Sequence, residues 1–187
     1  MDVEGASKLE QILLCRESNV RCALADALDE IIQRRGKQAL PLLDKLLSDE
    51  SQDVVRIAVG SLRLISDIDS EGFVDRCAVA ANYSDPGVQR RFTQTALRDY
   101  LNIHPDDQKG LTVKLWLDGD ELVRTRLREL LLHMIDDHSK SLSDILHRIV
   151  SVGGPTVLDD FWRVLEVRSK EKSRAWRNHI EGDAELP

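Results

Sequence analysis

Cysteine is scarce in this sequence, and long apolar stretches are missing. Its 187 residues include three cysteines, Cys15, Cys22 and Cys77, without the CxxC spacing of a common zinc motif. The odd number and the spacing indicate neither a disulfide framework nor such a zinc site, so a reducing compartment fits best. No run of eighteen apolar residues is present, and the N-terminus is acidic where a signal peptide is basic. We therefore expect a cytoplasmic protein that does not interact with membranes.

Basic residues are also fewer than acidic residues. Lys and Arg number 26 against 33 Asp and Glu, which gives a formal net charge of −7. Nucleic acids and anionic membranes attract a surplus of Lys and Arg, so this balance disfavours both as general partners. A local basic patch could still bind nucleic acid.

Motifs that carry catalysis or bind metal are missing as well. The sequence has no Gly-rich phosphate loop, no GxSxG and no HExxH, and no nucleophile stands beside an evident base. His133, Asp136, Asp137 and His138 are clustered, but the five-residue gap places the two imidazoles far apart around a helix. We interpret this cluster as a helix C-cap and turn. The prediction is a protein that is not an enzyme and holds neither metal nor cofactor.

Aliphatic residues are plentiful, whereas aromatic residues make up only 4% of the chain, and this balance favours helices packed through aliphatic ridges. Apolar runs with helical spacing follow five evenly placed valines. The valines stand 35, 33, 35 and 34 residues apart, at Val20, Val55, Val88, Val123 and Val157. Arginine follows directly at Arg21, Arg56 and Arg124, and Arg90 stands two places after Val88. A fixed period of this length is typical of repeat architectures.

A second, shorter apolar run precedes each valine. The residue eight places before the valine is apolar in every unit: Ile12, Leu47, Ala80, Leu115 and Ile149. Turn residues separate the two runs, and Ser51, Asp85 or Asp120 could cap the second one. Each unit is thus predicted to be a pair of antiparallel helices, A and B, which must stack on neighbouring pairs to bury its apolar faces.

Residues 39–65, ALPLLDKLLSDESQDVVRIAVGSLRLI, show this unit most fully. A proline lies in the A run, aspartates lie in the turn, and Val-Arg opens the B run. The unit resembles a HEAT repeat through these residues: Pro41, Leu43, Leu46, Leu47, Asp49, Asp53, Val55, Arg56, Ala58 and Leu62. The other four units match more loosely, and the period is shorter than the usual HEAT length of about 40 residues.

The resemblance implies an all-α fold, a right-handed α-solenoid of about five HEAT-like antiparallel helix pairs with the B helices along its concave side. It implies a single domain over residues 1–168, followed by a C-terminal helix extension and flexible tail over residues 169–187. The family binds proteins or peptides and, in some branches, DNA, tRNA or a chromophore. The His-Glu pairs that HEAT-like iron hydroxylases use do not occur here.

Candidate binding residues are the B-helix positions that point away from the apolar stripe. They are acidic in the first unit and mostly basic later: Asp26, Asp29 and Glu30, then Arg90, Gln94, Arg98, Arg128 and His133. The hypothesis is a surface that is acidic at one end and basic from the middle on, and that binds an elongated partner by charge and shape. The alternative is a solvated face with no binding role.

Two further features each allow two readings. Leu64, Leu97 and Leu132 form an apolar file that is either a peptide groove or packing between adjacent B helices. The segment from Trp162 to Arg177 is basic and carries a second tryptophan, Trp176. It either binds nucleic acid by phosphate contact and stacking or caps the open end of the solenoid.

From these features we expect a non-catalytic protein–protein interaction module, an adaptor, scaffold or regulator that binds its partner on the B-helix face. The residues predicted to contact the partner are Arg90, Gln94, Leu97, Arg98, Arg128, His133 and Trp162. One alternative is a HEAT-like nucleic-acid binder or DNA glycosylase, in which Arg90, Arg98, Arg128 and Trp162 would contact phosphates and stack on bases. Another is a bilin lyase component.

Overall fold

The computed structural model of the chain describes residues 11–182. All regular secondary structure within this range is helical, which confirms the predicted all-α class. None of the helices in this range combines the length and the apolar character that a membrane crossing requires.

The chain divides into two compact units, Met1–Tyr100 and Leu101–Pro187, and each is described by itself. The α-helices of the first unit are α1 (Ser18–Asp26), α2 (Leu28–Arg35), α3 (Leu40–Leu47), α4 (Gln52–Val59), α5 (Ser70–Asn82) and α6 (Pro86–Thr95). Helix α7 (Leu97–Ile103) contains the boundary. Those of the second unit are α8 (Leu111–Asp118), α9 (Glu121–Asp137), α10 (Ser139–Gly153), α11 (Asp159–Arg168) and α12 (Lys170–Glu181). The single domain expected over residues 1–168 stays a prediction.

The B helices of the first unit, α1, α4 and α6, pack against one another in chain order. The A helix of each complete pair lies on its own B helix, α3 on α4 and α5 on α6, and α3 also packs against α5. The predicted apolar positions supply these contacts, since Leu47, Val55, Ala80 and Val88 are all buried. Burial of these aliphatic residues therefore holds α3, α4, α5 and α6 together.

Each B helix of the first unit breaks part of the way along. Helix α1 ends at Ala27 and is followed by α2, α4 passes at Gly60 into a 3-10 turn over Gly60–Leu64, and α6 ends at Ala96 before α7. The backbone at Ala96 has φ −112° and ψ −20°, but its amide still donates to the Phe92 carbonyl and its carbonyl accepts from the Tyr100 amide, both at 3.0 Å.

Capping residues fix two of the B-helix starts as predicted. The Asp85 carboxylate accepts a hydrogen bond from the Val88 amide at 2.9 Å, with Pro86 as the first helical residue. Asp120 accepts from the amides of Leu122 and Val123, both at 3.0 Å. The expectation for Ser51 is wrong: its side chain makes no cap bond, and its own amide instead donates to Asp49 Oδ1 at 2.8 Å.

A buried ion pair links the first two helix pairs. Arg21 Nε lies 2.7 Å from Asp49 Oδ2, with side chains only 5% and 8% exposed. Arg21 Nη1 also donates to the Cys15 carbonyl at 2.6 Å. The arginine that follows the first anchor valine is therefore a structural residue that holds the turn of the next pair.

In the second unit, α8 packs on α9, and α10 packs on both of them. The predicted apolar positions Leu115, Val123 and Ile149 are fully buried. Helix α12 packs on α10 and α11, and Trp176 on α12 is 3% exposed.

The fifth anchor differs from the other four. Val20, Val55, Val88 and Val123 lie at the third or fourth residue of a B helix, whereas Val157 lies in a 3-10 turn, Pro155–Leu158, ahead of α11. Gly154 has φ +84°, and the Trp116 indole donates to the Val157 carbonyl at 3.1 Å, which occupies an acceptor that an α-helix would use. The prediction that Val157 opens an α-helix is therefore wrong.

The C-terminal extension is a separate helix. At Ser169 the chain becomes extended, with φ −159°, and the Ser169 side chain caps α12 by accepting from the Lys172 amide. The last B helix, α11, therefore ends at Arg168 within the basic segment and does not run on to Trp176, and residues 183–187 of the predicted tail lie outside the described residues.

Candidate functional site

A groove of about 430 Å³ lies on the B helices of the first unit. Its lining residues come from α1, α4 and α6, and they are Asp26, Arg56, Ile57, Gly87, Arg90, Arg91 and Gln94. We call it the arginine groove. It lies where successive helix pairs meet, so the stacking of pairs creates it.

The polar side chains of the groove project from the outer face of α6. Val88 and Phe92 on the same helix are fully buried against the core. Arg91 and Gln94 are exposed and Arg90 is half-buried. The helical period thus places the core residues on one face and the groove residues on the other.

Two glycines allow arginines of the neighbouring helix to lie close to the backbone. The Arg91 side chain of α6 lies against Gly60, where an added Cβ would stand 2.6 Å from Arg91 Nη2. In the opposite direction, a Cβ at Gly87 of α6 would stand 3.3 Å from Arg56 Cδ of α4. The two arginines therefore extend across the contact between α4 and α6 in opposite directions.

The charge of the groove is opposite in sign to that of the whole chain. Three arginines and one aspartate line it, while the chain carries a net charge of −7. Arg56 Nη2 pairs with Asp53 Oδ1 at 2.6 Å, but both side chains are at least half exposed, so the pair is accessible to solvent. Within the described part of the chain, no carboxylate pairs with Arg91. The groove therefore presents positive charge that an anionic group can approach.

The groove is suited to binding. Arginine donates a planar set of N–H groups that matches a carboxylate or a phosphate, Gln94 can both donate and accept, and Ile57 adds an apolar contact. Over residues 11–182, no group of three or more His, Cys, Asp or Glu side chains could hold a metal ion.

Of the predicted contact residues in the first unit, the structure brings Arg90 and Gln94 into this groove. Arg98 on α7 is exposed but does not line it. Leu97 is fully buried, which corrects the expectation that it contacts a partner. Leu97 stands four residues after Thr93 and eight after Gln89, both of which are buried, so it lies on the side of the helix that faces the core.

The apolar file is a packing feature. Leu97 is fully buried, Leu132 is 6% exposed and Leu64 is half-buried. Of its two readings, burial favours packing and leaves no peptide groove along these leucines.

The acidic residues of the first unit are largely engaged inside the unit. Asp29 accepts hydrogen bonds from Ser61 Oγ and from Arg63 Nη2, the latter at 2.7 Å, and so ties α2 to the Gly60–Leu64 turn. Glu30 pairs with Arg34 one turn along the same helix. Asp26 alone of these predicted residues lines the arginine groove.

In the second unit, Arg128 lines a smaller groove of about 270 Å³. Charges of both signs surround it: Glu121, Arg124, Arg128, Asp159 and Asp160, beside Trp116, Thr156 and Val157. Arg163 pairs with Asp160 at 3.0 Å, and Arg177 lies 3.8 Å from Asp159. Because three carboxylates and two arginines line it, this groove does not favour an anionic ligand as the arginine groove does.

Trp162 is an interior residue. It is 2% exposed, its ring meets that of Phe161 at 5.0 Å with the planes 78° apart, and Ser173 donates to its carbonyl. This corrects the expectation that Trp162 contacts a partner. Because Trp176 is also buried, neither tryptophan can stack on a base, and the nucleic-acid alternative loses its stacking residues.

The surface beside α12 is basic, but a single helix forms it. A groove of about 450 Å³ is lined only by residues of α12 itself: Lys170, Glu171, Arg174, Ala175 and Asn178. No second element shapes it, so it offers less to a specific ligand than the arginine groove does.

The cluster at the end of α9 is a helix terminus, as predicted. His138 is the C-cap of α9, and Asp136 pairs with Lys172 of α12. His133 is exposed on α9.

The three cysteines are free thiols. Burial raises the pKa of the Cys77 thiol, and burial together with the nearby carboxylates of Asp53 and Asp26 raises that of Cys22. Both groups therefore stay protonated at neutral pH, which disfavours them as nucleophiles.

The sequence interpretation missed two arginines of the groove, Arg56 and Arg91. Arg56 was recognised as a repeat residue only, and Arg91 lies beside the predicted Arg90. The available signal was a pair of glycines inside the B runs, Gly60 and Gly87, since glycine within a helical pattern often marks close approach of another group.

None of the protein-family models, curated proteins or solved structures compared with this chain matches it.

Proposed function

We propose that the chain is a non-catalytic protein-interaction module, built as a short HEAT-like α-solenoid, that binds a partner on the B-helix face of its first unit. The repeat of 33 to 35 residues supports the solenoid. The ordered packing of α1, α4 and α6 supports it as well. Its proposed location is the cytoplasm, where the three thiols would stay reduced.

A single observation supports the choice of the arginine groove as the binding surface. Arginines from two neighbouring B helices, Arg56 on α4 and Arg90 and Arg91 on α6, line one groove together with Gln94. Repeat proteins commonly bind on the surface formed by equivalent helices of successive repeats, because stacking makes that surface continuous. Arginine is also enriched among the residues that contribute most to protein interfaces.

The experiment is site-specific photo-crosslinking in cells that express the chain. Benzoylphenylalanine replaces Gln94 in the groove in one variant and Lys45, exposed on the A helix α3, in the other. We expect a defined protein to crosslink from position 94 and not from position 45. The Arg56→Glu/Arg91→Glu variant should abolish that crosslink.

The control variant is Arg35→Glu/Lys45→Glu, which changes the net charge by the same amount at exposed sites outside the groove. It should crosslink from position 94 as the wild type does. No crosslink from position 94, or equal crosslinking from both positions, would contradict the proposal.

A further inference from the structure

We propose that the arginine groove binds an acidic peptide segment, with oxyanionic side chains of the peptide over α4 and α6. This inference rests on the proposed function and names the chemistry of the partner. It starts from the three arginines that line the groove.

The position of Arg56 and Arg91 determines what they can bind. Each extends over a glycine of the neighbouring helix, and this brings guanidinium groups from two helices to the same small surface. Guanidinium groups bind carboxylates and phosphates through paired N–H donors, which a lysine ammonium cannot match. Arg56 already donates from Nη2 to Asp53 Oδ1 at 2.6 Å, a single hydrogen bond, so a carboxylate is compatible with its geometry.

The size of the groove is compatible with a few side chains of a peptide. At about 430 Å³ it falls within the range of about 300 to 1,000 Å³ typical of sites for small ligands. Such a volume accepts a few side chains of an extended or helical segment and leaves the rest of the partner outside.

Asp26 makes one side of the groove acidic, which determines how an acidic peptide can be oriented in it. It is exposed on α1, at the side of the groove opposite α6, and it repels an anion placed beside it. The acidic side chains of the peptide therefore lie over α4 and α6, and a neutral or basic residue lies towards α1.

Binding is measured by fluorescence anisotropy with three labelled peptides that share a Gly-Ser background. One carries four glutamates, one carries four phosphoserines and one carries four glutamines at the same positions. Carboxylate and phosphate are the two sources of the same oxyanion chemistry, and the tighter of the first two peptides identifies the source. Equal binding of all three peptides, or no binding of either anionic peptide, would overturn the inference.

Substitutions test whether the anionic peptide binds in the arginine groove. Arg56→Glu/Arg91→Glu should weaken the affinity for the anionic peptide by about tenfold or more, since like charges then meet in the groove. The matched Arg35→Glu/Lys45→Glu control should stay within about twofold, because both side chains are exposed outside the groove, where salt screens their charges. An equal loss in both variants would show that net charge alone attracts the peptide, which overturns the inference.

A second variant does not alter charge. Gly60→Ala places a methyl group where Arg91 Nη2 now lies and so displaces that guanidinium. We expect several-fold weaker binding of the anionic peptide by a folded protein, and unchanged affinity would overturn the role of the Arg91 position. Anionic peptide binding without any crosslinked protein refutes the proposed function alone, and a crosslinked protein without anionic peptide binding refutes the acidic ligand alone.

Discussion

The guanidinium group of Arg91 lies against the backbone of Gly60, on the neighbouring B helix, so closely that a Cβ atom there would stand 2.6 Å from Nη2. Gly60 itself has φ −59° and ψ −29°, a helical conformation that any residue adopts. The absence of a side chain at Gly60 therefore leaves room for the Arg91 side chain, whereas the backbone conformation at this position does not need a glycine.

Replacing Gly60 with alanine should leave stability unchanged or raise it. Alanine is favoured over glycine in a helical position by about 0.5 to 1 kcal/mol, and the atoms it meets belong to the flexible end of Arg91. Thermal unfolding followed by circular dichroism should show a Tm equal to the wild type or up to about 4 °C higher. A lower Tm would show that Arg91 cannot move aside.

The N-caps of two B helices give a matched pair of substitutions. Asp120 accepts from two amides at the start of α9, whereas the Ser51 side chain makes no cap bond to α4. Asp120→Ala should therefore lower the free energy of unfolding by about 1 kcal/mol, and Ser51→Ala should change it by less than about 0.5 kcal/mol. Urea unfolding measures both, and equal losses would contradict the cap assignment.

The Arg21–Asp49 pair makes stability depend on pH. Burial raises the pKa of Asp49, but hydrogen bonds from Arg21 and from the Ser51 amide outweigh it and hold the pKa below its usual value. A carboxyl whose folded pKa is lowered contributes stability above its unfolded pKa of about 3.9 and loses it as the pH falls through the folded pKa. Asp49→Asn should therefore destabilise the protein at neutral pH, and its difference from the wild type should shrink below about pH 4.

Asp53→Asn is the control for that pH series. Asp53 also pairs with an arginine, Arg56, but both side chains are at least half exposed. Exposed pairs of this kind contribute about 0 to 1 kcal/mol. Urea unfolding midpoints measured across the pH range should therefore fall clearly further for Asp49→Asn than for Asp53→Asn at neutral pH. Equal falls in the two variants would refute the structural role of the buried pair.

Leu97 is expected to matter for stability and not for binding. It is fully buried, so Leu97→Ala should cost about 2 to 5 kcal/mol through lost contacts and a cavity. Leu14 in the same unit is 82% exposed, so Leu14→Ala should change stability by less than about 0.5 kcal/mol. Chemical denaturation compares the two variants, and similar values would contradict the burial of Leu97.

The all-helical class and several helix starts could be predicted from the sequence because their signals are local. Apolar spacing, Asp85 before Pro86, and Asp120 before α9 each act within a few residues, and four of the five anchor valines lie near B-helix starts. Val157 was misplaced because a distant contact from Trp116 and the positive φ of Gly154 determine the start of α11.

The binding residues were harder to predict because they depend on how neighbouring helices meet. Leu97 was assigned to the surface, but it follows the buried polar residues Gln89 and Thr93 at four-residue steps, so the buried side of this helix is wider than its apolar anchors indicate. Arg56 and Arg91 enter the groove by extending over glycines of adjacent helices. The spacing of residues within one helix does not predict such a contact between helices.

Hydrogen–deuterium exchange with the tighter of the two anionic peptides tests most directly the claim that the B-helix face of the first unit is the recognition surface. On adding the peptide, amides of α4 and α6, residues 52–59 and 86–95, should become more protected. Those of the A helices α3 and α5, residues 40–47 and 70–82, should be unchanged. Protection confined to α3 and α5, or spread evenly over residues 11–100, would contradict the account.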